Sequence, residues 1–326
     1  MDRHNRARYA ARLNAFKLAA DMPAKPGPLD LIAAAGRVGG LDAADLNYPD
    51  HAVGLSALDL RSALSDAGLH LNGLAMRYYT NPGYRLGAFT HPDAAVRRAA
   101  IDETKRGLDL LAELGGKIMT LWMGQDGFDY AFQVNYAAVW DATISAMAEV
   151  AAHNPDLDIA IEYKPNEPRS YALMPDVGTT LLAVKEIGQP NVGVTLDFAH
   201  VLYADEMPAH TAALIARHAR LLGVHLNDGY GKRDDGLMVG TVHPIQTVEL
   251  FVELERIGYD GVIYFDTFPD NGGLDPIEEA RTNIRLVERL REIAKDLALD
   301  PNLGTALARQ DAAITQRIVA SALYGA

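Results

Sequence analysis

Seven short apolar runs, each followed by a stretch of helical period, constrain this chain more than any other feature. They cover residues 40–47 (GLDAADLN), 69–76 (LHLNGLAM), 117–124 (KIMTLWMG), 158–164 (DIAIEYK), 192–198 (VGVTLDF), 221–227 (LLGVHLN) and 261–267 (GVIYFDT). Runs of this length between turn signals mark buried strands. A weaker candidate near residues 16–19 makes an eighth. The clearest helical segment is 92–114, where Ala95, Val96, Ala99, Ile101, Leu108, Leu111 and Leu114 fall on apolar faces; 136–152, 178–187, 209–220 and 245–257 follow. Strand–helix alternation repeated eight times predicts an α/β protein with a parallel sheet closed into a (β/α)8 TIM barrel. An open doubly wound sheet would show a Gly-rich phosphate turn after an early strand, and the sequence has none.

No shift in composition marks a domain boundary. The barrel is expected over residues 1–290. The tail at 291–326 continues a helical pattern (Leu286, Leu290, Ile293, Leu297) and then turns Ala-rich, which predicts a C-terminal helical extension that contacts a partner subunit in a homodimer or homotetramer.

Composition narrows the function. The 326 residues carry a formal charge of −13, which argues against a nucleic-acid partner because phosphate binding needs a basic surface. Cysteine is absent, so disulfides, thiolate zinc sites and cysteine nucleophiles are excluded together. Any metal must sit on carboxylates and histidines. Arg3, Arg6, Arg8 and Arg12 near the N-terminus are not followed by an apolar run of signal-peptide type, and no stretch approaches the roughly 18 apolar residues of a membrane span. A cytoplasmic location without membrane contact is the expectation.

In a barrel of this kind chemistry gathers at the C-terminal ends of the strands. Four consecutive late runs are apolar until they meet an ionisable group: Glu162, Asp197, His225 and Asp266. The gaps of 35, 28 and 41 residues are each about one strand–helix unit, so the four come from neighbouring strands of one rim. A lone strand-end Asp is ordinarily a helix cap and a lone His a structural hydrogen-bonding residue. Three carboxylates and a histidine on one rim instead suit a divalent cation: Mn²⁺ first, with Mg²⁺, Co²⁺ or Zn²⁺ as alternatives.

These segments resemble a known family. Residues 161–169 (IEYKPNEPR) are similar to the E-x-K-P-N-E-P-R signature of bacterial xylose isomerases, and 196–200 (LDFAH) and 225–228 (HLND) resemble segments of rhamnose isomerases. Residues 89–97 (FTHPDAAVR), with 121–124 (LWMG), resemble the fourth unit of the same superfamily. The resemblance implies that Glu162, Asp197, His225 and Asp266 bind the main metal. It also implies that Lys164 hydrogen-bonds the sugar carbonyl oxygen, that Trp122 walls the sugar pocket, and that His200 contributes to substrate binding. His200, Asp234 and Asp235 fall where a second metal is held. Asn166, Glu167 and Arg169 are expected to scaffold their loop or meet another subunit.

Two departures stand out. The isomerases carry an Asp-x-Asp pair after strand seven; here Asp234 keeps the first place and Gly236 replaces the second. They also carry a ring-opening histidine at the end of strand two; Asn47 stands there, with His51 nearby. The expected activity is a metal-dependent aldose–ketose isomerisation of a small non-phosphorylated sugar, with Lys164, Glu162 and Asp266 catalytic and Trp122, Asn47 and His200 against the substrate. The alternative is a single-metal ketose 3-epimerase in which Glu162 and Asp266 exchange the proton. A dehydratase of the inosose type is a third reading. Sugar specificity is expected in the loops after the first three strands, around Asn47, Tyr48, Arg77, Tyr78 and Tyr79.

Overall fold

A computed structural model describes residues 8–325; Arg3 and Arg6 lie outside the described residues. Eight parallel strands close into a barrel: β1 (Tyr9–Arg12), β2 (Ala43–Tyr48), β3 (His70–Met76), β4 (Ile118–Leu121), β5 (Asp158–Glu162), β6 (Val192–Asp197), β7 (Leu221–Leu226) and β8 (Ile263–Phe265). Each strand pairs with its neighbours in chain order, and β8 closes the ring on β1 through Tyr9 against Ile263 and Ala11 against Phe265. Seven strands lie within the apolar runs or one residue beyond them. The eighth is a correction. Residues 16–19 are not a strand: residues Leu13–Leu18 form a 3-10 helix, and the first strand precedes it. Its sequence, YAAR, lacks the branched residues that announce a strand; Tyr9 stacks on Phe265 on one face, and Ala10 packs with Ala43 and Tyr264 on the other.

The helices are α1 (Pro28–Gly36), α2 (Ala57–Asp66), α3 (Ala94–Leu114), α4 (Tyr136–His153), α5 (Val177–Ile187), α6 (Pro208–His218), α7 (Pro244–Ile257) and α8 (Pro276–Leu299). Most begin at a residue that can accept from the free N–H groups of the first turn. Asp93, Asn135, Asp176 and Asp275 each do so, and α6 and α7 start on proline, whose missing N–H costs nothing there. α8 buries Ile284, Val287, Leu290, Ile293 and Leu297 against the barrel and packs on α7. Arg281 then donates to the carbonyls of Arg37 and Val38 just after α1, tying the last unit to the first. Residue 290 lies inside this helix; the chain goes on into α9 (Pro301–Ala308) and α10 (Ala312–Tyr324). Among the described residues no helix is long and apolar enough to cross a membrane.

The core lies in the barrel and between the barrel and its helices. Phe265 is 1% exposed and stacks on Tyr9 with ring centroids 5.7 Å apart, across the closing seam. Phe265→Ala is expected to cost about 3–5 kcal/mol, seen as a lower urea midpoint; an unchanged midpoint would show that the seam bears no load.

Candidate active site

The four ionisable strand ends converge. Glu162 closes β5, Asp197 closes β6, His225 is the penultimate residue of β7, and Asp266 follows β8. Register makes them level: Asp197 lies beside His225, and His225 beside Tyr264, whose inward-facing successor is Asp266. One ligand atom of each lies within 4.8 Å of the other three.

A fifth residue holds the cage together. Asn227 Nδ2 donates to both oxygens of Asp197, at 3.3 and 3.1 Å, and to the Asp266 carbonyl at 3.2 Å. Its Oδ1 accepts from Ala199 N at 2.8 Å. Asp197 in turn accepts from His200 N at 2.9 Å, capping the short helix Phe198–Tyr203. One carboxylate thus serves as both cap and cage.

Charges this close and this buried oppose one another. Burial, helped by Asp234 and Glu162 and resisted by His200, pushes Asp197 up to about 7. Burial and Glu162 raise Asp266 as well. Burial pushes His225 down, but Glu162, with His225 Nδ1 3.1 Å from its Oε1, outweighs that and lifts His225 to about 9. A divalent cation would relieve this crowding, and three carboxylates with an imidazole are a fitting donor set for one. Loading must strip a proton from His225, and below about pH 7 another from Asp197. Mn²⁺ affinity is therefore expected to rise with pH, about tenfold per unit between pH 7 and 9 and more steeply below 7. Calorimetric titration across that range, with proton release read from buffer dependence, checks this; a flat affinity would contradict it.

Beside the cage, Asp234 Oδ2 accepts from Lys164 Nζ at 3.1 Å and His200 Nε2 at 3.2 Å. Lys164 also pairs with Glu167 at 2.8 Å. His200 Nδ1 donates to the Tyr163 carbonyl at 3.0 Å. Burial lowers His200, but Asp197 and Asp234 raise it to about 9, so both ring nitrogens carry protons. Burial likewise opposes the Lys164 charge, and Asp234 outweighs it, keeping the ammonium protonated. Of the three residues expected at a second metal, the structure brings His200 and Asp234 together and leaves Asp235 out. Asp235 accepts from Tyr230 N at 2.9 Å and Arg233 Nε at 2.7 Å, bracing its own loop. Gly236 explains the geometry: its φ is +59°, and a Cβ there would stand 2.3 Å from the Phe268 ring. An aspartate in that place would collide with the pocket wall.

These groups line a cavity of about 300 Å³ at the barrel mouth. One wall of the cavity is a chain of rings and cations. Arg77 Cζ lies 4.2 Å over the Tyr79 ring, Tyr79 meets Trp122 edge-on at 5.1 Å, and Lys164 Nζ sits 5.2 Å over Trp122. Asn47 lines the cavity too. His51 does not. It accepts from Asn47 N at 3.1 Å through Nδ1 and donates to Asn14 Oδ1 at 3.2 Å through Nε2; burial, with Arg77, Lys17 and Arg12, lowers it to about 4 and keeps it neutral. The segment 165–169 is anchored: Asn166 accepts from Tyr203 Oη, and Arg169 pairs with Asp129 at 3.3 Å and donates to the Gly127 carbonyl. Asn227, Asp45 and Arg12 are among the cavity or cage residues to which the sequence alone assigns no role. Asn227 had its signal beside His225. Asp45 was an acid inside an apolar run. Arg12, 3.9 Å from Asp266 and 2.9 Å from Asp270, ends the strand that was misplaced.

The sequence profile described as xylose isomerase-like TIM barrel matches residues 5–293. The chain belongs to the xylose isomerase-like TIM barrel family. Among relatives of this family, a xylose isomerase of Thermus thermophilus is 30% identical over 258 residues, covering 76% of this chain and 66% of that protein. The chain thus spans just under two thirds of that relative's length. A solved L-ribulose 3-epimerase superposes with a TM-score of 0.70 at 16% identity, over 90% of this chain and 97% of that one. A D-allulose 3-epimerase of a Methylomonas species gives 0.68 at 17%, over 87% and 98%. At those identities the likeness is one of fold. The xylose isomerase-like barrel supplies the rim on which the cage is built.

Proposed function

We propose that this protein is a metal-dependent aldose–ketose isomerase of a small, non-phosphorylated sugar. The observation that carries the reading is the placement of Lys164: a buried ammonium at the same cavity as the cage, held between Asp234 and Glu167 and braced on Trp122. Glu162, Asp197, His225 and Asp266 would hold a divalent cation, with Mn²⁺ the expected ion, which would supply Lewis-acid polarisation of the sugar. The chain's own groups do the rest. Lys164 Nζ donates to the carbonyl oxygen and stabilises the negative charge that develops there as hydrogen moves between C1 and C2. Asp234, charged because His200 and Lys164 both face it, keeps the ammonium aimed and its proton in place. Trp122 and Tyr79 exclude water from one side of the chain. Similarity to the Thermus xylose isomerase across 76% of this chain supports the same class.

A second reading has an observation of its own. With Asp235 turned away and Gly236 unable to carry a ligand, one cation site remains well furnished, and a 3-epimerase needs one. Glu162 and Asp266 would then exchange the proton at C3. The solved neighbours named as 3-epimerases agree with that alternative. Product analysis of the Mn²⁺-loaded protein on tetroses, pentoses and hexoses, offered as aldoses and as ketoses, separates the two. Aldose–ketose interconversion supports the isomerase. Ketoses changed only at C3 would replace it with the epimerase.

A further inference from the structure

Aromatic side chains clustered in water mark a surface that something else covers. The loop leading from Trp122 to α4 carries such a cluster. Phe132 is 100% exposed, Tyr130 74%, Tyr171 59%, and Tyr136, at the start of α4, 53%. Gly127–Phe128 pairs antiparallel with Tyr171–Ala172; there Phe128 stacks on Tyr171 at 5.2 Å and meets Tyr136 edge-on at 5.1 Å. Tyr130 and Phe132 stand between Phe128 and Tyr136 in the chain, so the rings form one plate. Its loop is firmly built. Gln133 Oε1 accepts from Asp129 N at 2.7 Å and Tyr130 N at 3.0 Å, while Asp129 accepts from Ser170 N at 2.9 Å and pairs with Arg169 at 3.3 Å. Phe132 is held with a φ of +63°, in the left-handed region where Asn or Asp is the residue a bare loop favours. Solvent and backbone thus both disfavour a phenylalanine at this place.

We infer that this plate is the face on which a second copy of the chain docks. At about 200 Å² for each ring, the exposed fractions amount to roughly 550 Å² of aromatic surface, against about 800 Å² per partner in a stable interface. Ala137 and Ala138, exposed in the first turn of α4, add to it. Charge favours a copy over another partner. The chain carries −13, so two copies repel one another unless they meet through a neutral surface. The plate is such a surface, because Asp129 and Arg169 neutralise each other within it. A two-fold contact sets the same residues against each other, and here it brings no unpaired charge into the interface. A sugar would instead need free polar groups beside the rings, and Asp129 and the Gln133 carbonyl are already engaged within the loop. Docking on this face sets the sugar pockets beside the contact. The plate grows from the segments that carry Trp122 and Lys164, and Ala172 lines a small cavity together with both. The second copy therefore braces one wall of the pocket, whichever reaction the cage performs.

Sedimentation velocity of the Mn²⁺-loaded full chain, over a range of concentrations, tests the contact. Wild type is compared with Phe132→Asn and with Ile314→Asn on α10, a helix that buries none of its residues and is the competing surface. Asparagine removes the ring and suits the left-handed backbone, so the fold is expected to be kept, as circular dichroism checks. The wild type should sediment as paired chains and Phe132→Asn at half that mass. Its dissociation constant should rise about 10²-fold or more, because each ring lost at a two-fold contact is lost twice. Ile314→Asn should stay paired. Hydroxyl-radical footprinting of the wild type needs no variant, and should show Tyr130 and Tyr171 protected as pairing sets in. A wild type that sediments as a single chain would overturn the contact, as would tyrosines labelled equally at every concentration. Pairing kept in Phe132→Asn and lost in Ile314→Asn would move it to the C-terminal helices.

Discussion

Lys164→Met should lower kcat for aldose–ketose interconversion by about 10²–10³-fold while changing KM far less. The methionine keeps the stem that packs along Trp122 but removes the ammonium, so binding of the uncharged ground state survives and the developing oxyanion loses its donor. The variant also leaves Asp234 and Glu167 without their shared cation, so that Asp234 keeps only its bond from His200. Steady-state kinetics on the preferred sugar checks this. A loss confined to KM would mean that Lys164 only anchors its loop. An undiminished rate at C3 of a ketose would mean that the chemistry runs through Glu162 and Asp266 instead.

The second large effect concerns the cage. Asp197→Asn keeps an oxygen for His200 N, so the cap of the helix Phe198–Tyr203 persists, but removes one negative charge from the cation's surroundings. Activity is expected to fall about 10³-fold or more as the cation is lost, because several kcal/mol of polarisation go with it. The metal-free variant should be at least as heat-stable as the metal-free wild type. Asp197 has a higher pKa folded than unfolded, so the carboxyl favours the folded state most when protonated, and its contribution is lost as pH rises from about 4 toward about 7. An uncharged amide has no such loss. Thermal melts at pH 8 with and without Mn²⁺ read both halves: the wild type gains strongly from the ion, the variant little. A variant that melts far below the metal-free wild type would show Asp197 to be structural first.

The barrel was legible because seven of its strands fall in short, largely apolar runs separated by segments of helical period. The cage was legible for the same reason: an acid such as Glu162 or Asp197 at the end of such a run has no bland explanation once three acids and a histidine share a rim. What the sequence hid follows from side-chain volume and backbone direction. YAAR is a strand because it pairs with β2 and β8, distant in sequence, to close the ring, which no local pattern reports. That Asp235 turns outward depends on the left-handed Gly236 and on Phe268, distant in sequence, occupying the space a side chain would need. Asn227 and Asp45 were visible as polar residues inside or beside apolar runs, but the partner of Asn227, Asp197, stands on the neighbouring strand and far away in sequence. The residues expected at a second metal, His200 and Asp234, stand in a cluster in which His200 and Lys164 both donate to Asp234.

In the proposed chemistry the cage and Lys164 act together on the carbonyl end of an open-chain sugar. One ketopentose, incubated with the Mn²⁺-loaded protein and followed by carbon NMR, puts this to the test. A growing aldose C1 signal is expected, absent from the Lys164→Met variant. A ketose inverted at C3 with no aldose formed would contradict it.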